Sequence, residues 1–213
     1  MKKLIAPMLL LCFMSTYNII IAQESASIDV SSANYKKRNP IYDYSEEQLS
    51  NTDTIPGFET KANKLKITGT IYQSDGVTPA KDVILFIEQA DDNGDYQIKT
   101  KDNGRYMYHR GWVKTNADGE YTLYTFVPGA ATDPITFPRR KGLKKIYPVI
   151  IEAGKTEYNA DAFLFDDDPL LTKTCRKRLK RQGVDSILKP EKQGDMLVAT
   201  RDIVLEEKTI NVK

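Results

Sequence analysis

Alternating apolar and polar residues predict β-strands along most of the chain between residues 65 and 205. Leu65, Ile67 and Ile71 are each followed by a polar residue or tyrosine, which is typical of a strand that buries one face. The apolar run at 83–87 predicts a strand buried on both faces. Shorter patterns predict further strands at 146–152, 162–165 and 199–205.

The clearest pattern runs from Arg110 to Gly129 and reads RGWVKTNADGEYTLYTFVPG. It predicts a hairpin, in which Gly119 supplies the positive φ of the tight turn and Pro128 ends the second strand. Residues 96–109 and 130–144 have no such alternation, and we expect a loop and an irregular segment there. Short strands separated by turns indicate a mainly β protein, an antiparallel β-sandwich.

One helix interrupts the strand pattern in the C-terminal half. Asp168 is a suitable cap, Pro169 suits the first turn, and Gly183 suits the end. Acidic residues at 166–168 precede a series of basic ones, as the helix dipole favours. The basic residues are Lys173, Arg176, Lys177, Arg178, Lys180 and Arg181. A solvated face explains this cluster most simply, and an anion-binding or membrane-surface patch is the alternative.

The N-terminus has the layout of a secretory signal peptide over residues 1–22: two lysines, an apolar run and a small residue at the end. A membrane anchor is the alternative, but polar residues interrupt the run short of the roughly 20 residues that a span needs. We therefore expect a secreted or periplasmic protein without a transmembrane span after cleavage. Residues 23–62 form a polar segment with a flexible start, of which residues 55–58 dock near the domain, and residues 63–213 form the domain.

Charge and composition exclude several classes of site. Removal of residues 1–22 takes away two lysines and no acid, so the formal charge falls from +2 to neutral. The remaining residues, about 190, suit one domain, and their charge gives no reason to expect a nucleic-acid partner. Cys175 is then the single cysteine, which excludes an internal disulfide. His109, the single histidine, excludes any site that needs two.

Two acidic runs are candidates for cation binding. Residues 91–95 read DDNGD but lack the spacing of an EF-hand loop, so a turn is the better interpretation. The acidic run at residues 166–168 is explained by capping of the helix that follows, without a bound cation. His109 has no partner pattern, and we interpret it as a loop histidine.

Three segments resemble the intradiol ring-cleavage dioxygenase family, and most closely a secreted bacterial branch of it. They read LKITGTIYQSDGVTPAKDVILFIEQADDNGDY, RGWVKTNADGEYTLYTFVPG and DAFLFDDDPLL. The resemblance covers roughly residues 50–205. It implies a β-sandwich with a non-haem ferric iron, held by two tyrosines and two histidines, that binds catecholate while O2 is inserted into the ring. Phenolate oxygens suit this hard Lewis acid.

The resemblance also points to the four positions that correspond to the iron ligands. Tyr96 matches the first tyrosine, whereas Ala131 stands at the second. Lys145 and Tyr147 stand where the family has histidines. His109 precedes the hairpin and cannot replace them. A lysine ammonium at a ligand position would repel a trivalent cation.

We therefore expect a catalytically inactive domain of this family, without a cofactor, that binds a small aromatic molecule, an envelope component or another protein. Tyr106, Lys144 and Lys145 are the predicted binding residues, and the two lysines would balance an acidic ligand. The first alternative is a dioxygenase in which Tyr96 and Tyr147, helped by Tyr106 or an acid, still hold Fe(III). The second is a transthyretin-like structural or adaptor module that does not use this cleft.

Overall fold

The structure, a computed structural model, describes residues 33–101, 104–132 and 137–207. This part of the chain is mainly β, and two sheets pack face to face as a sandwich. The strands are β1 Thr52–Thr54, β2 Lys64–Tyr72, β3 Ile84–Gln89, β4 Ile98–Lys101, β5 Gly104–Met107, β6 Arg110–Lys114, β7 Glu120–Phe126, β8 Lys145–Ile151, β9 Tyr158–Asn159, β10 Phe163–Phe165, β11 Ile187–Leu188, β12 Glu191–Gln193, β13 Met196–Thr200 and β14 Ile203–Val204. The helices are α1 Ala33–Arg38 and α2 Lys173–Arg181, with 3-10 turns at Pro40–Tyr42 and Phe58–Thr60.

Antiparallel pairs form the centre of each sheet. The first sheet has the order β1-β7-β2-β13-β12, with β14 also on β2, and the second has the order β11-β10-β8-β3-β6, with β9 also on β8. β2 pairs with β7, while β3 pairs with β6 and β8, all antiparallel. β1 and β13 add to the first sheet in parallel. The predicted sandwich is confirmed.

The core lies between the sheets and is built from the alternating positions that the sequence identified. Leu65, Ile67 and Leu123 of the first sheet are fully buried. They meet the inward residues of the second sheet, among them Leu85, Ile87, Val113, Ile146 and Ile150. The opposite, outer face of the second sheet remains available, and the candidate site forms there.

The predicted hairpin at Arg110–Gly129 is wrong in its pairing. The turn exists, with Gly119 at φ +71, but β6 belongs to the second sheet and β7 to the first. Thr115 causes the crossing, because its buried hydroxyl donates to the carbonyl of Ala80 at 2.6 Å and accepts from the amide of Val83 at 3.0 Å. These bonds hold the end of β6 against the segment before β3 and away from β7.

The expected loop at 96–109 contains a two-stranded hairpin instead. Ile98–Lys101 pairs antiparallel with Gly104–Met107. All four residues of β4 are exposed, so no apolar alternation could reveal the strand. This hairpin forms one wall of the candidate site.

The helix begins later than the sequence predicted. Thr172 is the N-cap of α2, and its hydroxyl accepts from the amide of Cys175 at 3.2 Å. The carboxylate of Asp168 instead closes a preceding turn by accepting from the amides of Leu170 at 2.8 Å and Lys144 at 2.7 Å. Gly183, at φ +72, follows the helix end as predicted.

The polar N-terminal segment contributes more to the domain than a tether would. Ile55 and Phe58 are buried, as the docking at 55–58 predicted. Ile55 also joins the hydrophobic core, and Thr52–Thr54 extends the first sheet beside β7. The sandwich therefore includes residues before position 63.

The predicted signal peptide at 1–22 lies outside the described residues. Among the residues that are described, no helix is long and apolar enough to cross a membrane.

Candidate functional site

The turn before Tyr96 is fixed by hydrogen bonds to one carboxylate. Asp91 accepts from the amides of Asn93 and Asp95, both at 2.9 Å, and from the side-chain amide of Gln97 at 3.1 Å. Burial opposes ionisation of Asp91, but these donors prevail and hold its pKa below the usual range. The acidic run at 91–95 is thus a turn that positions Tyr96.

The structure brings Tyr96 and Tyr147 together. Burial, the interaction with Tyr147 and the nearby Glu88 raise the pKa of Tyr96. Tyr147 lies on β8 directly across from Glu88 on β3, and Glu88 lies across from Arg110 on β6. Tyr96 is therefore a protonated phenol at neutral pH, beside a row of polar side chains on the outer face of the second sheet.

Ala131 lies beside the same turn. The amide of Gly129 donates to the carbonyl of Asp91 at 2.7 Å. A Cβ added to Gly94 would lie 2.3 Å from the carbonyl oxygen of Ala130 and 3.1 Å from the amide nitrogen of Ala131. This close backbone approach places position 131 near Tyr96, but the methyl group of alanine offers no ligand atom.

The two predicted lysines point to different places. Lys145 is two residues from Tyr147 on β8 and lines a cavity of about 440 Å³ under α2. Lys144 does not share this cavity with Lys145, and its ammonium contacts Asp167 at 3.2 Å. That the two lysines balance an acidic ligand stays a prediction.

A groove of about 400 Å³ adjoins Glu88, and we call it the Glu88 groove. Its apolar lining comes from Pro40, Ile41, Phe86, Ile98, Tyr106 and Met107. Burial raises the pKa of Glu88, against the opposing effect of the Arg110 charge. The Glu88 carboxylate makes no hydrogen bond or ion pair within the described residues. Tyr106, a predicted binding residue, lines this groove.

Arg110 fixes the far wall of the groove. Its guanidinium donates to the carbonyl of Pro40 and to the carboxylate of Asp43, both at 3.0 Å. It also lies over the rings of Tyr106 at 3.9 Å and Trp112 at 4.9 Å. Arg110 is buried and fully engaged, so it shapes the groove rather than leaving a free cation in it.

The N-terminal strap, residues 35–44, covers one side of the groove. The indole of Trp112 donates to the carbonyl of Ile41 at 2.7 Å. The hydroxyls of Tyr35 and Tyr42 donate to the two carboxylate oxygens of Glu157, at 2.6 and 2.5 Å. The strap was not predicted from the sequence, in which the tyrosines of this otherwise polar segment are the available signal.

His109 lies in the short connection between β5 and β6, as the sequence predicted for a loop histidine, and its side chain is buried there. Its Nδ1 lies 3.0 Å from the carbonyl of Pro56, and its ring packs edge-on against Phe126 with centroids 5.0 Å apart. It makes no contribution to the Tyr96–Tyr147 pair.

These residues do not fit the ferric iron site that the resemblance implies. Ala131 provides no ligand atom, and Lys145 brings a positive charge that would repel a trivalent cation. Within residues 33–101, 104–132 and 137–207, no three His, Cys, Asp or Glu side chains are grouped so as to hold a metal.

Comparison with solved structures identifies the fold. The dioxygenase domain of a dioxygenase and carbohydrate-binding protein fusion from Streptomyces sp. SirexAA-E has 21% identity and a TM-score of 0.53, over 79% of this chain and 99% of that domain. The 3-chlorocatechol 1,2-dioxygenase of Rhodococcus opacus 1CP has 18% identity and a TM-score of 0.54, over 72% of this chain and 62% of the enzyme. The hydroxyquinol 1,2-dioxygenase of Pseudomonas putida DLL-E4 has 16% identity and a TM-score of 0.54, over 78% of this chain and 64% of the enzyme.

The chain thus has the β-sandwich fold of the intradiol ring-cleavage dioxygenases. No protein-family model and no curated protein sequence matches it. At these identities the structural similarity establishes the fold alone, because one fold supports many functions.

Proposed function

We propose that this protein is a catalytically inactive, intradiol dioxygenase-type binding domain that holds a small aromatic ligand without ferric iron. The observation that carries the proposal is the set of side chains at the expected ligand positions, where Ala131 and Lys145 stand beside the interacting pair Tyr96 and Tyr147. The methyl group of Ala131 offers Fe(III) no ligand atom, and the ammonium of Lys145 would repel the trivalent cation. The side chains near this pair suit an aromatic ligand that carries hydrogen-bond donors.

The Glu88 groove is the binding site in this proposal. Its volume of about 400 Å³ lies in the range of small-molecule sites, and an apolar lining with a few polar groups is typical of them. The unpaired Glu88 carboxylate can accept a hydrogen bond from a phenol or an ammonium group. It would repel an aromatic carboxylate.

The test combines metal analysis with thermal melting of the purified full chain. We expect less than stoichiometric iron and no phenolate-to-iron charge-transfer band. Catechol and tyramine should raise the melting temperature, by about 5–10 °C at 100 times the Kd for a domain of this size, whereas benzoate should not. Glu88→Gln should weaken the tyramine effect, and Glu191→Gln, an exposed carboxylate on β12, is the matched control.

An iron-dependent dioxygenase with altered ligands is the second candidate, since Tyr96 and Tyr147 are already adjacent. Stoichiometric iron and a visible charge-transfer band that disappears in Tyr96→Phe would establish this candidate and reject the first. Iron-free protein whose melting responds to none of the three probes would instead favour the structural or adaptor module.

The proposal also places the protein outside the cytoplasm, in the periplasm or medium, with residues 1–22 removed. This part rests on the sequence of the N-terminal segment alone. The N-terminal sequence of protein recovered from the periplasm or medium of the expressing cells tests it, and an intact Met1 would contradict it.

A further inference from the structure

The exposed side of α2 carries a dense group of basic residues. The helix has nine residues, six of them Lys or Arg, and none of them is buried. Lys173, Lys177 and Arg181 recur at four-residue spacing, so they occupy about 80° of the circumference and about 12 Å of the axis. Lys180 and Arg178 flank this row. We call these five residues the α2 basic face.

The apolar side of α2 points the other way. Leu179 and Cys175 are partly buried and line the cavity beneath the helix, together with Leu171. The α2 basic face is exposed to solvent, although Arg178 also lies at the edge of that cavity, and it presents no large apolar side chain for insertion into another phase.

Acidic neighbours leave most of these charges unbalanced. Asp166 binds Arg176, which lies outside the α2 basic face, and Asp167 binds Lys144. Asp185 lines a groove beside Lys180, but Lys189 lines the same groove. Within the part of the chain that the structure describes, no side chain of the α2 basic face forms an ion pair with a carboxylate.

This arrangement is unfavourable for an isolated helix. Like charges at four-residue spacing repel each other, here in the pairs Lys173–Lys177 and Lys177–Arg181. Lys173 also sits in the first turn, where the helix dipole disfavours a positive charge, and no acid occupies that turn. A partner with many negative charges would relieve both effects.

We propose that the α2 basic face docks on an anionic phospholipid surface by electrostatics alone. The face is the convex surface of one helix, and its cations spread over a wide arc, which fits a planar array of headgroups better than a single polymer strand. Because the apolar side of α2 is packed inward, binding should be peripheral and sensitive to salt.

Sedimentation with lipid vesicles tests the proposal on the full chain. Vesicles of phosphatidylcholine with about 30% phosphatidylglycerol provide the anionic surface, and pure phosphatidylcholine vesicles report any binding through the apolar N-terminus. The variant Lys173→Gln/Lys177→Gln/Arg181→Gln removes three charges. The control Lys81→Gln/Lys99→Gln/Lys101→Gln removes three exposed charges elsewhere.

We expect the helix variant to bind anionic vesicles about 100-fold more weakly, roughly 5-fold per charge. The control should stay within about 3-fold of the unmodified chain, and raising salt from about 50 to about 300 mM should weaken binding of the unmodified chain. Equal binding to both vesicle types, or an unaffected helix variant, would overturn the proposal. Binding to soluble heparin through these residues, without vesicle binding, would assign the face to a polyanion and also overturn it.

Discussion

Replacing Arg110 with methionine tests whether one side chain fixes the N-terminal strap to the sandwich. Methionine has a similar length and keeps an apolar chain next to Trp112. It removes the donors to the Pro40 carbonyl and the Asp43 carboxylate, each 3.0 Å away. It also removes the positive charge over the Tyr106 ring. The hydrogen bonds of the strap to Trp112 and Glu157 remain in place.

The expected loss of unfolding free energy is about 3–4 kcal/mol. Removing one partner of a buried ion pair costs about 3–5 kcal/mol, because the other charge is left uncompensated. The side chain of Arg110 is 9% exposed and that of Asp43 is 30% exposed, so solvent screens part of the interaction and the lower half of that range applies. For a domain of this size the melting temperature should fall by about 6–16 °C.

Urea unfolding followed by far-UV circular dichroism and by fluorescence measures this effect. Trp112 is the single tryptophan of the chain and contacts the strap directly, so its emission should shift to the red as the strap loosens. Arg176→Met, which breaks a more exposed pair with Asp166, is the control and should cost less than about 1 kcal/mol. An Arg110→Met protein within 1 kcal/mol of the unmodified chain, with unchanged emission, would refute the reasoning.

Three further predictions concern single residues of the fold and site. Thr115→Val should lower the unfolding free energy by about 2–4 kcal/mol in urea titrations, because it leaves the Ala80 carbonyl and the Val83 amide unpaired; Thr115→Ser should restore most of it. The pKa of Glu88 is higher in the folded protein than in the unfolded chain. Ionisation of Glu88 therefore lowers the free energy of unfolding, by its full amount above the folded-state pKa and not at all below the pKa of the unfolded chain. Glu88→Gln should therefore be more stable than the unmodified chain at pH 7, and melting curves of the two should converge as the pH falls through that window. Gly94→Ala should cost about 2–5 kcal/mol by calorimetry, since Gly94 has φ +93 and an added Cβ would meet a carbonyl oxygen at 2.3 Å.

The strands were predictable because burial of one face leaves an alternating pattern in the sequence. Leu65 and Ile67 show it, and both are fully buried. The pairing of β6 and β7 was not predictable, because it depends on the hydroxyl of Thr115 and its partners more than thirty residues away along the chain. The start of α2 was predicted too early for the same reason, because the Asp168 carboxylate accepts a hydrogen bond from the distant amide of Lys144 as well as from its own turn.

The site was predictable only where a motif marked it. The resemblance located Tyr96 and Tyr147, and the structure places them in contact. The Glu88 groove left no motif, because its walls come from the N-terminal strap, the β4–β5 hairpin and two central strands. Tyr35 and Tyr42 reach Glu157 across more than a hundred residues of sequence, and no local pattern encodes such a contact.

Backbone contacts, rather than side-chain contacts, hold together the positions that correspond to the family's iron ligands, which are 96, 131, 145 and 147. Gly129 and Gly94 approach so closely that a Cβ on either would lie 2.3 Å from a backbone atom of the facing segment. That approach fixes position 131 against the turn that carries Tyr96, and the pairing of β3 with β8 fixes Tyr147 beside Glu88. Substitution of the side chains at 131, 145 and 147 disturbs neither contact. The geometry of this region therefore does not depend on which side chains stand at these positions.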